Sequence, residues 1–221
     1  MPRRPAPAPP VAGRYVLLDE IGRGATGAVH RAWDVRHERY VAAKVLHDPD
    51  GSLLLRFVRE QSLRIRHPHL LTPIGWAADD DLVLIAMDLV RGGSLLDLLR
   101  AHGPLPERFV AAVLEQLLAG LVAVHAAGLV HRDVKAANLL LEATGSDRPW
   151  VRLGDFGLAC PLDDPVRLGS GPVGTPGYLS PEAERGAPAR PAQDVYAAGA
   201  VGRRLLAGRA PLSTLLDSMT R

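Results

Sequence analysis

The chain is poor in three residue types. Cys160 is the single cysteine, which excludes an internal disulfide framework and fits a reducing compartment, so the expected location is cytoplasmic. Only Lys44 and Lys135 are lysines, and only Asn138 is asparagine. The 26 basic residues nearly cancel the 24 acidic ones, for a net charge of +2. That balance excludes a general polyanion binder, so neither nucleic acid nor an acidic membrane is expected as a partner. An uninterrupted membrane-length apolar run is also missing. The longest candidate, 109–130, is broken by Glu115, Gln116 and His125. Its apolar positions Val110, Val113, Leu117, Leu121 and Val124 recur at helical spacing, which predicts a core helix bounded by Pro106 and Gly128.

What is abundant is arginine, alanine, glycine and proline. Such a composition reflects coding bias against lysine and asparagine. Where those two types persist, their chemistry is a candidate requirement. The first 13 residues, MPRRPAPAPPVAG, alternate proline with alanine and predict a flexible tail without the apolar segment of a signal peptide. Strands are expected over 15–21, 28–34 and 40–46, followed by a helix over 52–66 capped by Ser52. His67-Pro68-His69 closes it. Two more strands, 73–78 and 82–89, flank the acidic turn Asp79-Asp80-Asp81. From Ser94 onward helices dominate. Strands followed by helices predict an α+β fold of two lobes. The expected division is a tail over 1–13, a β-rich lobe over 14–90 and a helical lobe over 91–221.

Five motifs carry chemistry. Gly22-Arg23-Gly24-Ala25-Thr26-Gly27 spaces glycines so that backbone N–H groups can approach phosphates. This spacing also occurs in dinucleotide-binding units, but those need a helix straight after the glycines. Here a strand follows from Val29, and no Gly-Lys-Ser/Thr follows either. The second motif is Val41-Ala42-Ala43-Lys44. A lysine in an apolar strand is costly unless paired or bound to an anion, and Glu60 on the following helix is the natural partner. Third comes His131-Arg132-Asp133-Val134-Lys135-Ala136-Ala137-Asn138, which gathers a proton acceptor, an ammonium and a carboxamide oxygen within six residues. Fourth is Asp155-Phe156-Gly157, a carboxylate at a strand end beside a glycine. The fifth is Gly174-Thr175-Pro176-Gly177-Tyr178-Leu179-Ser180-Pro181-Glu182, with Asp194-Val195-Tyr196 beyond it.

In this order the motifs resemble the signature set of the eukaryotic-type (Hanks-type) protein kinases, over about residues 15 to 210. The sequence DxKxxN and the GTPGYLSPE stretch resemble the serine/threonine branch, and the composition looks bacterial. The resemblance implies a bilobal kinase-like fold and transfer of the γ-phosphate of ATP, with Mg²⁺, to Ser/Thr hydroxyls of protein substrates. By that resemblance Gly22, Arg23, Gly24 and Gly27 cover the phosphates, and Lys44 holds them while pairing with Glu60. Asp133 takes the acceptor proton, Lys135 balances charge on the phosphoryl group, and Asn138 and Asp155 hold Mg²⁺. Val29, Ala42 and Leu140 sandwich adenine, the backbones of Asp88 and Val90 bond it, Met87 stands at the pocket entrance and Ser94 matches a ribose contact. Ser170 and Thr175 are candidate autophosphorylation sites, with Arg132 placed to receive a phosphate on Ser170.

Compared with the family the chain is expected to be short at its C-terminal end. The glutamate matching Glu182 pairs, in the family, with an arginine beyond Arg221. Two competing functions follow: a nucleotide-binding pseudokinase, and a small-molecule phosphotransferase of related fold. The stretch Gly174 to Glu182, which resembles a protein-substrate docking platform, argues against the latter. His67 and His69 lack further ligands at metal-binding spacing and read as structural.

Overall fold

A computed structural model describes residues 9–24, 27–46, 65–79, 82–145, 148–162, 173–207 and 219. The expected helix over 52–66, with Glu60, lies outside the described residues except for Ile65 and Arg66, which are irregular. Asp80, Asp81, Ser170 and nearly everything after Ala207 also lie outside them. The chain divides into two compact units. One comprises Met1–Arg64 and Pro73–Leu89, the other Ile65–Thr72 and Val90–Arg221.

The first unit is a five-stranded antiparallel sheet of β1 (Tyr15–Gly24), β2 (Gly27–Asp34), β3 (Arg39–Leu46), β4 (Gly75–Asp79) and β5 (Leu82–Asp88), in the order β1-β2-β3-β5-β4. Alternation along each strand sorts the side chains onto two faces. Tyr15, Ala32, Val41, Ala43, Ala77, Leu84 and Ala86 form a buried cluster on one face. On the other, the register aligns Val29 with Lys44 and Ile85, and Arg31 with Ala42 and Met87. The first strand runs three residues beyond its expected end, through the glycines, to pair Gly24 with Gly27. Gly27 is required there, because a Cβ would stand 2.1 Å from the Val45 carbonyl oxygen.

Two expectations change. The tail begins to order before residue 14: Val11 and Tyr15 exchange backbone bonds, and the Ala12 N–H donates to Asp79 Oδ2 at 3.0 Å. The apolar Val11 packs on the cluster, which the Pro/Ala composition conceals. The segment Ile65–Thr72, expected in the first lobe, belongs to the second unit. Leu71 N donates to Leu153 O, Leu153 N to His69 O and His69 Nδ1 to Val151 O, all at 2.8–2.9 Å.

Asp34 is wholly buried and accepts from Arg14 Nε and Nη2, from His37 Nδ1 and from the Arg36 and His37 N–H groups. The Arg14 guanidinium, more than any other neighbour, holds its carboxyl well below the usual range. A carboxyl that titrates lower when folded contributes fully above its unfolded value and loses that contribution as pH falls. The stability difference between wild type and Asp34→Asn should therefore stay constant down to about pH 5 and narrow below about pH 4. Urea titrations at several pH values measure it. The Tyr15 hydroxyl is also buried but has no hydrogen-bond partner among the described residues. Removing an unsatisfied polar group relieves a desolvation cost, so Tyr15→Phe should raise stability by about 1 kcal/mol, seen as a higher urea midpoint.

The second unit is mainly helical: α1 (Leu95–His102), α2 (Glu107–Ala126), α3 (Pro181–Glu184) and α4 (Pro191–Leu206). Two short ladders accompany them, β6 (Leu129–Val130) with β9 (Cys160–Pro161) and β7 (Leu139–Leu141) with β8 (Val151–Leu153). The core helix ends at Ala126, just before the Gly128 that bounds its expected span. Gly128 then takes a positive φ of 74° and Val130 enters β6. By length and composition α2 passes for a membrane span. It nevertheless buries Val110, Val113, Leu117, Leu121 and Val124 along one side within the unit.

Candidate active site

In the first unit the sheet decides which glycine-hairpin groups share a face with Lys44. Val29, Ala42, Lys44 and Met87 lie together, and Lys44 is only 8 % exposed. Arg23 does not join them. It pairs across the hairpin with Ala28, so its side chain lies on the opposite face, where Nε donates to Glu20 Oε1 at 2.9 Å. Its guanidinium is thus turned away from Lys44, and only the backbone of this position remains for a phosphate. At the far end of β5, Asp88 pairs with Val41 in the ladder and forms an ion pair with Arg39 at 3.3 Å.

In the second unit, the chain leaves β6 through His131 and turns at Arg132, whose φ is +66°. A positive φ on a β-bearing residue persists only where its surroundings impose it. The buried Asp194 of α4 does so: Oδ2 accepts from His131 N at 2.8 Å and Oδ1 from Arg132 N at 2.9 Å. His125, in the last turn of α2, donates from Nε2 to the same carboxylate at 2.8 Å. His131 is fully buried, which pushes its pKa down and keeps it neutral. Its Nε2–H donates to Gly154 O, its Nδ1 accepts from Asp133 N, and its ring meets Phe156 edge-on at 4.7 Å.

Three side chains converge on Asp133. Thr175 Oγ1 donates to Oδ1 at 2.7 Å. Lys135 Nζ donates to Oδ2 at 2.8 Å and to Thr175 Oγ1 at 3.0 Å. Asn138 Nδ2 donates to Oδ2 at 3.0 Å and to the Asp133 carbonyl at 2.8 Å. With both Asn138 bonds made by its NH₂ group, the carboxamide oxygen is left to accept, as a hard cation requires. Asp155 stands at φ +60° one residue past Gly154, whose N–H donates to Asn138 O at 2.9 Å. The oxygen-bearing side chains of Asn138 and Asp155 therefore fit a divalent cation.

Protein kinase domain is the family whose model matches this chain, over residues 15–220. The chain belongs to the protein kinase family. Curated relatives of this kinase include the serine/threonine-protein kinase PkaA of Streptomyces coelicolor, 38% identical over 219 residues, 91% of this chain and 40% of the relative. PknL of Mycobacterium tuberculosis, also a serine/threonine-protein kinase, is 38% identical over 206 residues, 90% of this chain and 51% of the relative. PrkC of Bacillus subtilis is 33% identical over 207 residues, 91% and 31%. The chain thus spans 31% to 51% of the length of these relatives.

Several positions differ from their expected roles. Ser94 caps α1: its Oγ accepts from Asp97 N and gives its only proton to Asp97 Oδ2 at 2.6 Å. Toward a ribose it retains acceptor capacity only. Leu140 is half-buried in β7 and bridges Ser94. The Thr175 hydroxyl, expected as a phosphorylation site, is held by Asp133 and Lys135. Sequence reasoning assigned no role to Thr175 at the carboxylate, nor to His125 and Asp194 behind it. Thr175 and Asp194 both stood inside quoted motifs, but His125 gave no local signal.

Proposed function

We propose that this chain transfers the γ-phosphate of Mg·ATP to serine and threonine hydroxyls of proteins. The observation that carries the reading is the Thr175 hydroxyl on Asp133 Oδ1. That oxygen accepts an alcohol O–H at 2.7 Å, beside an ammonium at 2.8 Å from the same carboxylate. An acceptor hydroxyl at that oxygen would have its proton drawn by Asp133 as it attacks, while Lys135 offsets the negative charge of the phosphoryl group. Bound Mg²⁺ would be held by Asn138 Oδ1 and Asp155, supplying charge neutralisation to the triphosphate. On the first unit Lys44 supplies a second cation, with Val29, Ala42 and Met87 forming an apolar surface for adenine. The names of the bacterial relatives support serine and threonine as acceptors. Cys160, buried and the single cysteine of the chain, suits a reducing, cytoplasmic setting.

Incubating the chain with γ-labelled ATP and myelin basic protein tests the reading. We expect label on serine and threonine, loss of transfer on chelation and its return with Mg²⁺. Asn138→Ala should raise the Mg²⁺ requirement at least about tenfold. A thermal shift with Mg·ATP without transfer would instead favour a nucleotide-binding pseudokinase.

A further inference from the structure

We propose that Arg204 is a positioning residue, clamping the acceptor-docking segment 174–184 through the ring of Tyr178. The inference rests on the kinase reading above. Arg204 lies in the last turn of α4, where a cation is favoured by the helix dipole. Its guanidinium carbon stands 5.5 Å from the Tyr178 ring centroid, within cation–π range. Tyr178 is 8 % exposed. It lines a cavity together with Arg132, Asp133 and Asp194. Arg204 adds a cationic contact to the ring beside that cavity.

Tyr178 is coupled to the chemistry by a short covalent and hydrogen-bonded path. Its N–H donates to Thr175 O at 3.1 Å, closing the turn that carries Thr175 Oγ1 to Asp133 and Lys135. One residue before Thr175, Gly174 abuts the catalytic loop: a Cβ there would lie 2.9 Å from Arg132 O. Four residues after Tyr178, the half-buried Glu182 makes no side-chain hydrogen bond or ion pair with a described residue. Arg204 itself has no carboxylate partner among the described residues. The Arg204–Tyr178 contact is therefore the outer tether of this segment, and its loss should loosen protein-substrate docking without touching the nucleotide.

The test compares wild type, Arg204→Ala and Arg204→Lys, with myelin basic protein as the probe at saturating Mg·ATP. Arg204→Ala should raise KM for the probe about two- to fivefold, as expected for one exposed cation–π contact. ADP affinity and thermal midpoint should stay at wild-type values, and Arg204→Lys should recover at least half of the loss. Amide exchange across 174–184 should quicken in Arg204→Ala and nowhere else. The effects of Tyr178→Leu and Arg204→Ala on KM should combine to less than their sum. Unchanged KM and exchange in Arg204→Ala would overturn the inference, as would a parallel fall in ADP affinity or a lysine variant no better than alanine. A wild-type chain that transfers no phosphate while Arg204→Ala still quickens exchange at 174–184 would sink the kinase reading but leave the clamp standing.

Discussion

Asp133→Asn should lower the turnover number by about 10²- to 10⁴-fold, the usual contribution of a positioned proton acceptor, with ADP affinity unchanged. The geometry around the carboxylate explains both halves of that expectation. Oδ2 receives two N–H donors, from Lys135 and Asn138, and neither can reverse its role. Oδ1 receives one O–H, from Thr175, and a hydroxyl can turn and accept instead. An asparagine will therefore put its carbonyl at the Oδ2 position and its NH₂ at the Oδ1 position. The cradle survives, because every donor still finds an acceptor. The oxygen that would draw the acceptor proton becomes a donor, and proton transfer has nowhere to go. Steady-state kinetics beside a nucleotide-binding isotherm separate the two effects. An Asp133→Asn chain that labels protein as fast as wild type would refute the assignment.

The second large effect is expected 61 residues downstream, at a side chain that touches no reacting atom. Asp194→Ala removes the acceptor for His131 N, Arg132 N and His125 Nε2 at once. Two buried N–H groups and an imidazole are left without a partner, and the +66° turn at Arg132 loses what imposes it. Leaving buried donors uncompensated costs about 3–5 kcal/mol in total. Asp133 follows directly on Arg132, so activity should fall with stability. Asp194→Asn tests the cause. Its single carbonyl can serve one of the two N–H groups while its NH₂ faces the other, so it should recover less than half of the lost stability. Urea unfolding of the three proteins measures this. An alanine variant within about 1 kcal/mol of wild type would show that the carboxylate does not hold the turn.

Much of the site could be read from the residues because its signals are local. Asp133, Lys135 and Asn138 fall within six positions, so spacing gathered these three, and the resemblance joined Asp155 to them. The scarcity of lysine and asparagine pointed to the same side chains. For Val29, Ala42 and Lys44 the resemblance supplied the grouping, and the strand register put them on one face. Boundaries were less secure. The first strand continued through its glycines, because tertiary contacts rather than propensity set that end.

By itself the sequence determined the family and the α+β class, since these depend on residue type and short intervals. Only the tertiary structure turned Arg23 away from Lys44, committed Ser94 to a helix cap and set Thr175 against Asp133. It also brought His125 to Asp194 across 69 positions and attached Ile65–Thr72 to the helical unit. The reason is physical: a hydrogen bond between distant segments is selected by how helices and ladders pack. No interval along the chain records which donor will face which acceptor after they do.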